Sequence, residues 1–263
     1  MPSVMCDVAS PCRADCKRFP TLMDFSWAAA LVAVAAVAIV VTFLNQWRHR
    51  ERTLPWVIAV RRIIETRDVR PVDLPVEIMQ HLLLGDKRSA RQLLKPNCPS
   101  DHVMIEAFGV THILNVAGRS GLIEPTECAT SSGIKTLQLS ADDEEGYPII
   151  ARHLHAAKEF INDAKATGGR CLIHCVAGIN RSGCLATAAL MLDERLEVLD
   201  AVRRVKGARR MVLENWSFQE QLVELARKEG LLGKRPDVGV SVGLHLPTRA
   251  PRKPAADALR RLG

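Results

Sequence analysis

From about Leu74 to Leu232, short apolar runs of strand length alternate with longer stretches carrying apolar residues at helical spacing. Strands are expected near 78–84, 112–116, 135–139 and 170–174. Helices are expected near 101–107, 149–166, 182–194, 197–206 and 215–229. Within 149–166, Ile150, Leu154, Ala157 and Ile161 recur at the period of one helix face. Such alternation gives an α/β domain, a mixed central sheet flanked by helices. A ligand site in an open α/β sheet lies at the C-terminal ends of its strands, which points to the segment after residue 174.

A different pattern precedes this domain. Phe25 to Trp47 carries no charge and is rich in Ala, Val, Ile and Leu. At about 1.5 Å per residue, a helix of that length matches a bilayer core of about 30 Å. Trp27 and Trp47 stand near its ends, where indole rings favour the interface. Arg48, Arg50, Arg52, Arg61 and Arg62 follow it, whereas Arg13, Lys17 and Arg18 before it are balanced by Asp7, Asp15 and Asp24. The pattern predicts one transmembrane helix over 25–47, preceded by an N-terminal segment 1–24, with membrane lipids as partners. The basic side, and with it the α/β domain, would face the cytosol. Residues 48–72 read as a basic juxtamembrane linker, with a first helix packed on the domain as the other option. The domain is expected over 73–232. Residues 233–263, rich in proline and basic residues, read as a disordered tail.

With 263 residues and 48% hydrophobic positions, the chain has material for one domain and its core. A net charge of +7 favours anionic surroundings. Aromatic residues at 4% argue against a stacking platform for single strands, so no nucleic-acid partner is expected. The eight cysteines show no paired metal spacing, so neither a metal nor another cofactor is expected. His81, His112, His153 and His155 likewise lack a partner at ligand spacing.

The candidate chemistry lies in His174-Cys175-Val176-Ala177-Gly178-Ile179-Asn180-Arg181-Ser182, between the apolar run Cys171-Leu172-Ile173 and the helical stretch from Gly183. A loop leading from a strand into a helix N-terminus points successive N–H groups at one spot and favours negative charge there. Thiolates are favoured at such a place. An arginine at the loop's end can grip two phosphoryl oxygens. Cys171 and Cys184 read as small buried hydrophobes.

This loop is the signature of cysteine-based phosphatases. The region Leu74–Leu232 resembles the dual-specificity protein phosphatases. Three further segments carry the resemblance in order: Leu74-Pro75-Val76-Glu77-Ile78 with Leu82-Leu83-Leu84-Gly85, then Gly109 to Val116, then Asn215 to Leu222. It implies a dual-specificity phosphatase-like fold and hydrolysis of phosphotyrosine and phosphoserine/threonine in proteins through a phosphocysteine. By resemblance, Cys175 is the nucleophile. Arg181 and the N–H groups of Val176, Ala177, Gly178, Ile179 and Asn180 bind the phosphate. Ser182 assists the departing thiolate, and His174 orders the loop. A helix N-cap is the other role open to Ser182.

The leaving oxygen needs a proton from a separate loop, and Ser140 to Pro148 offers Asp142, Asp143, Glu144 and Glu145. The family's aspartate falls about where Asp143 does, and its aromatic four residues later matches Tyr147. Asp143 is the expected acid and Asp142 the alternative. Val176, Ala177, Ile179 and Asn180 carry no charge, which favours phosphoprotein over phosphoinositide substrates. The asparagine at Asn180, where serine is commoner, keeps an RNA 5′-triphosphatase in view. Arg209 or Arg210 is either a contact for a second phosphate or a solvated helix end. A non-catalytic phosphoprotein-binding module is the reading from another class.

Overall fold

The computed structural model describes residues 22–66, 72–94, 108–121 and 133–239. The expected helix near 101–107 and residues 1–21 of the N-terminal segment 1–24 lie outside these residues. The chain divides into a unit over Met1–Arg52 and a unit over Thr53–Gly263.

The first helix, α1, runs Leu22–Glu65 and contains Pro55. Among the described residues no helix is long and apolar enough to cross a membrane. The expectation of a transmembrane helix over 25–47 is thereby overturned, and the expectation of membrane lipids as partners, which rested on it, is left without support. α1 does not stop at Trp47: it runs on past Arg48 and Arg50 to Glu65, and its end is buried in the domain. Of the two options for residues 48–72, a basic linker or a first helix packed on the domain, the described residues up to Glu65 take the helix. The end of α1 belongs to the domain: Trp56, Val57, Val60 and Ile64 are buried in its core. Arg61 stacks its guanidinium over the Trp216 ring.

Five strands form one mixed sheet. They are β1 (Val76–Met79), β2 (Leu82–Gly85), β3 (Val110–Asn115), β4 (Lys135–Gln138) and β5 (Arg170–His174), in the order β1-β2-β5-β3-β4. The strand expected over 78–84 is in fact a tight antiparallel hairpin, β1 with β2. All other pairings are parallel. β5 lies between two parallel neighbours, with Leu172 opposite Leu83 and Ile113. Its side chains alternate between faces. Cys171 and Ile173 enter the large core, while Leu172 joins Leu83, Ala90, Val110 and Ile113 in a smaller one.

The helices after α1 are α2 (Lys87–Leu94), α3 (Ile149–Ala166), α4 (Arg181–Asp193), α5 (Val198–Arg209) and α6 (Trp216–Glu229). In α3 the buried face is Ile149, Leu154, Ala157, Ile161 and Ala164, so Ile149 rather than Ile150 opens the stripe. α4 is buried on every side from Ser182 to Met191, as a helix that is apolar all round must be. Its small residues permit this: a Cβ on Gly183 would come within 2.5 Å of Val212. α6 is capped by Asn215, whose side chain accepts from the N–H groups of Ser217 and Phe218, and it ends on left-handed Gly230. Part of the expected disordered tail is placed against α1: Val238 is buried and its carbonyl accepts from Arg62 at 2.7 Å. Residues 240–263 lie outside the described ones.

Candidate active site

The loop from Cys175 to Asn180 joins the end of β5 to the start of α4. Its path is fixed from below. Lys87 at the start of α2 donates its backbone N–H to Val176 O at 3.1 Å. Gly178 has φ +64°, and a Cβ there would lie 2.5 Å from Gly85 O at the end of β2. Any other residue would therefore meet both a strained backbone and a collision. The close approach that requires glycine at 178 is to the end of β2.

From the side, Arg209 at the end of α5 donates to Gly178 O and Ala177 O, each at 3.1 Å. Burial pulls its guanidinium below its ordinary value, against the opposing fields of Asp86 and Cys175. Its donors hold the loop's carbonyls, which resolves the two options for Arg209 in favour of neither. It is a brace for the loop. Sequence reasoning missed this because the partners are carbonyls far away in the chain, and no residue pattern marks them.

The carbonyls of the loop are thus taken, while the amides are not. Among the described residues, no backbone N–H from Val176 to Arg181 donates to a backbone carbonyl. Amides turned to one hollow without backbone acceptors suit the oxygens of an anionic ligand. Cys175 is buried in the hollow, and Ser182 Oγ donates to its sulfur at 3.2 Å. α4 begins at Arg181 with Asn180 at the N-cap position, so Ser182 sits inside the first turn and is not the cap. His174 is buried beneath, its Nδ1 3.1 Å from Cys175 O. A carbonyl only accepts, so Nδ1 carries the proton. Burial holds this imidazole below its usual value, with the Cys175 carbonyl opposing. Cys171 and Cys184 are free and fully buried, and burial pushes both thiols far up, which leaves them inert.

Arg181 points toward the acid loop. Its Nη1 donates to Ala141 O at 3.2 Å, and its Nε is buried without a hydrogen-bond partner among the described residues. Asp143 Oδ2 lies 3.9 Å from that Nε, within ion-pair range and beyond hydrogen-bonding range. Asp143 also accepts from Asn180 Nδ2 and Asn215 Nδ2, both at 3.3 Å. Asp142 is exposed, and its charge acts on His153. Tyr147 secures the acid loop, its hydroxyl donating to Ser140 O at 3.1 Å, and Gln221 on α6 donates to Tyr147 O at 2.8 Å. Asn215 is a second residue that sequence reasoning missed. Its position before a helical run marks an N-cap, but nothing in the sequence marks its reach to Asp143.

The other histidines have structural surroundings. His112 Nε2 is 2.9 Å from Asp163, which Lys135 also holds. His81 lies 3.4 Å from Asp193, beside Lys158 and Lys165.

A thiol under a cradle of unpaired amides, with a half-buried arginine and a carboxyl at the mouth, suits attack on a phosphomonoester. The comparisons agree. The family model for the dual specificity phosphatase catalytic domain matches residues 93–228. Dual specificity protein phosphatase 26 of Bos taurus is 34% identical over 153 residues, spanning 58% of this chain and 67% of that protein. Its Homo sapiens counterpart is 31% identical over the same shares. The crystal structure of human DUSP28 superposes with a TM-score of 0.50 at 27% identity, over 62% of this chain and 99% of that one. The chain belongs to the dual specificity phosphatases, and it is a phosphatase of phosphotyrosine and phosphoserine/threonine in proteins.

Proposed function

We propose that Cys175, Arg181, Asp143 and Ser182 carry the reaction in two displacements. Cys175 attacks phosphorus as a thiolate. An S–P bond forms as the P–O bond to the substrate side chain breaks, and Asp143 gives its proton to the departing oxygen. Arg181 and the amides of Val176, Ala177, Gly178, Ile179 and Asn180 hold the three equatorial oxygens throughout. Water then attacks the phosphocysteine and gives a proton back to Asp143. The S–P bond breaks to release inorganic phosphate, and the Ser182 hydroxyl hydrogen-bonds the thiolate as it leaves. His174 holds the loop in shape through the Cys175 carbonyl.

The observation that carries this assignment is the unpartnered, buried Nε of Arg181 beside the unpaired amides. A buried N–H left alone costs about 1–3 kcal/mol. The cost is tolerated where a phosphoryl oxygen comes to fill the place. Asp143, at 3.9 Å from the same atom, supports the choice of acid over Asp142.

The test is a comparison of Cys175→Ser, Asp143→Asn and Asp142→Asn on a phosphopeptide. Cys175→Ser should abolish turnover while phosphate still binds, because a serine hydroxyl is too weakly acidic to attack. Asp143→Asn should slow turnover by roughly 10²–10⁴, the usual contribution of a positioned acid. Asp142→Asn should leave it within a few fold. Equal losses at the two aspartates, or turnover by Cys175→Ser, would remove the assignment.

A further inference from the structure

The acid loop and the phosphate loop are tied together by a side chain that attack on phosphorus does not itself require. Asn180 Nδ2 donates to Asp143 Oδ2 at 3.3 Å, and Asn180 Oδ1 accepts the backbone N–H of Asn215 at 3.1 Å. Asn215 Nδ2 donates to Asp143 Oδ1 at 3.3 Å. Its own Oδ1 accepts from Ser217 N at 3.1 Å and Phe218 N at 3.4 Å. Each carboxyl oxygen of Asp143 therefore has an amide donor, one from the phosphate loop and one from the cap of α6. The orientation of Asn180 is fixed by its neighbours. A carboxylate needs a donor and a backbone N–H needs an acceptor, so only one of the two amide flips satisfies both.

We infer that Asn180 is a positioning residue, which clasps Asp143 at the mouth of the loop and holds it off Arg181. The competitor is in plain reach. Arg181 Nε lies 3.9 Å from the Oδ2 that Asn180 holds. A guanidinium and a carboxylate left to themselves close to about 2.7–2.9 Å. Closure would turn the carboxyl away from the leaving oxygen and take the arginine's donors from the phosphoryl oxygens. Asparagine suits the place because one planar group offers a donor on one side and an acceptor on the other. A hydroxyl is shorter and a carboxylate has no donor.

The role rests on Asp143 being the acid, so the test must separate the two. The measurement is kcat/KM, which covers steps only through formation of the S–P bond. It is taken over aryl phosphates of graded leaving-group acidity and a phosphoserine peptide, for the unaltered chain, Asp143→Asn, Asn180→Ala and the double variant. Asn180→Ala should lower kcat/KM about 10- to 100-fold on the peptide, less than complete loss of a general acid. On the most acidic phenol the loss should stay within a few fold. The dependence on leaving group should steepen, and the double variant should be no steeper than Asp143→Asn alone. If Asp143→Asn leaves the dependence unchanged, the acid is misassigned and the clasp has no object. If Asp143→Asn steepens it while Asn180→Ala lowers every substrate by one factor, or none, Asn180 is merely structural and the inference is overturned. Should Asn180→Ala fail to fold, Asn180→Asp carries the same comparison. It keeps size and the acceptor for Asn215 N–H, removes the donor to Asp143, and should steepen the dependence too.

Discussion

Ser182 Oγ lies 3.2 Å from Cys175 Sγ, seven residues back along the chain and across the mouth of α4. The contact follows from the loop's geometry: β5 ends at His174, α4 starts at Arg181, and the first helical turn folds Ser182 over the thiol. A hydrogen bond to a sulfur that is gaining charge is worth more than one to a neutral thiol. Its effect therefore falls on the step in which the thiolate leaves.

Ser182→Ala should accordingly accumulate the phosphocysteine. A hydrogen bond to a charged group contributes about 1.5–3 kcal/mol, which is roughly a 10- to 100-fold drop in kcat. kcat/KM should change little, because attack precedes the affected step. Rapid-quench measurement should show a burst of released phenol ahead of slow turnover. An equal fall in kcat and kcat/KM without a burst would place the serine in the first step.

Arg209 holds the loop through two carbonyls, and Arg209→Met should release both. The methionine fills the volume of the stem but leaves Ala177 O and Gly178 O without donors. Stability should fall by about 1–3 kcal/mol. Vanadate or phosphate affinity should weaken as the amides lose their common direction. Arg209→Lys should restore little, since one ammonium does not reproduce the fork. Unchanged anion affinity in Arg209→Met, measured by calorimetry, would show that the loop keeps its shape unaided.

Acid should destabilise the domain within a definite window. Burial lowers His174 from 6.5, and desolvation likewise leads the lowering of His81 and His153. In the unfolded chain these rings take up protons as pH falls through about 6.5. The folded chain takes them up only further down, so stability falls as pH drops below about 6.5 and is flat above it. His174 alone gives a slope of up to about 1.4 kcal/mol per pH unit. Asp163, lowered by hydrogen bonds from Lys135 and then His112, keeps its contribution until pH falls toward the ordinary carboxylate range. Urea midpoints measured from pH 7.5 to 5.5 check this, and a midpoint that rises on acidification would contradict it.

The sheet and the helices behind it were legible because their periodicities are strong. The buried stripe of α3 and the all-apolar α4 left little choice. The hairpin β1–β2 was read as one strand because its turn, at Gln80 and His81, carries no glycine, proline or asparagine. Cys175, Ser182 and Arg181 were legible because one short loop contains them all. Asn215 and Arg209 were not, because their partners are Asp143, Ala177 and Gly178, which only the folded chain brings near. The end of α1 was left open between a linker and a packed helix for a physical reason. Pro55 and the arginines around it look like a break followed by a solvated linker, yet the helix continues through Pro55 and its apolar face is core.

That helix end changes where the domain can be cut. A chain beginning at Pro71 has every residue of the site but lacks Trp56, Val57, Val60 and Ile64, all buried in the large core. Burying one large apolar side chain contributes about 1.5–3 kcal/mol, so losing four removes about 6–12 kcal/mol. Whole domains are stable by about 5–15 kcal/mol. A start at Pro71 should therefore give a chain that is largely unfolded or loosely packed, with little activity. It also strips the Arg61 guanidinium from the ring of Trp216, the residue next to the Asn215 cap that holds Asp143. A start at Arg52 should keep a cooperative unfolding transition and full turnover, because Thr53–Gly263 forms one compact unit. Trp56→Ala in that shortened chain should cost about 3–5 kcal/mol, the usual range for a buried aromatic. Thermal melts and phosphopeptide turnover of the three chains decide the matter. A cooperative, active chain from Pro71 would show that the end of α1 decorates the core instead of completing it.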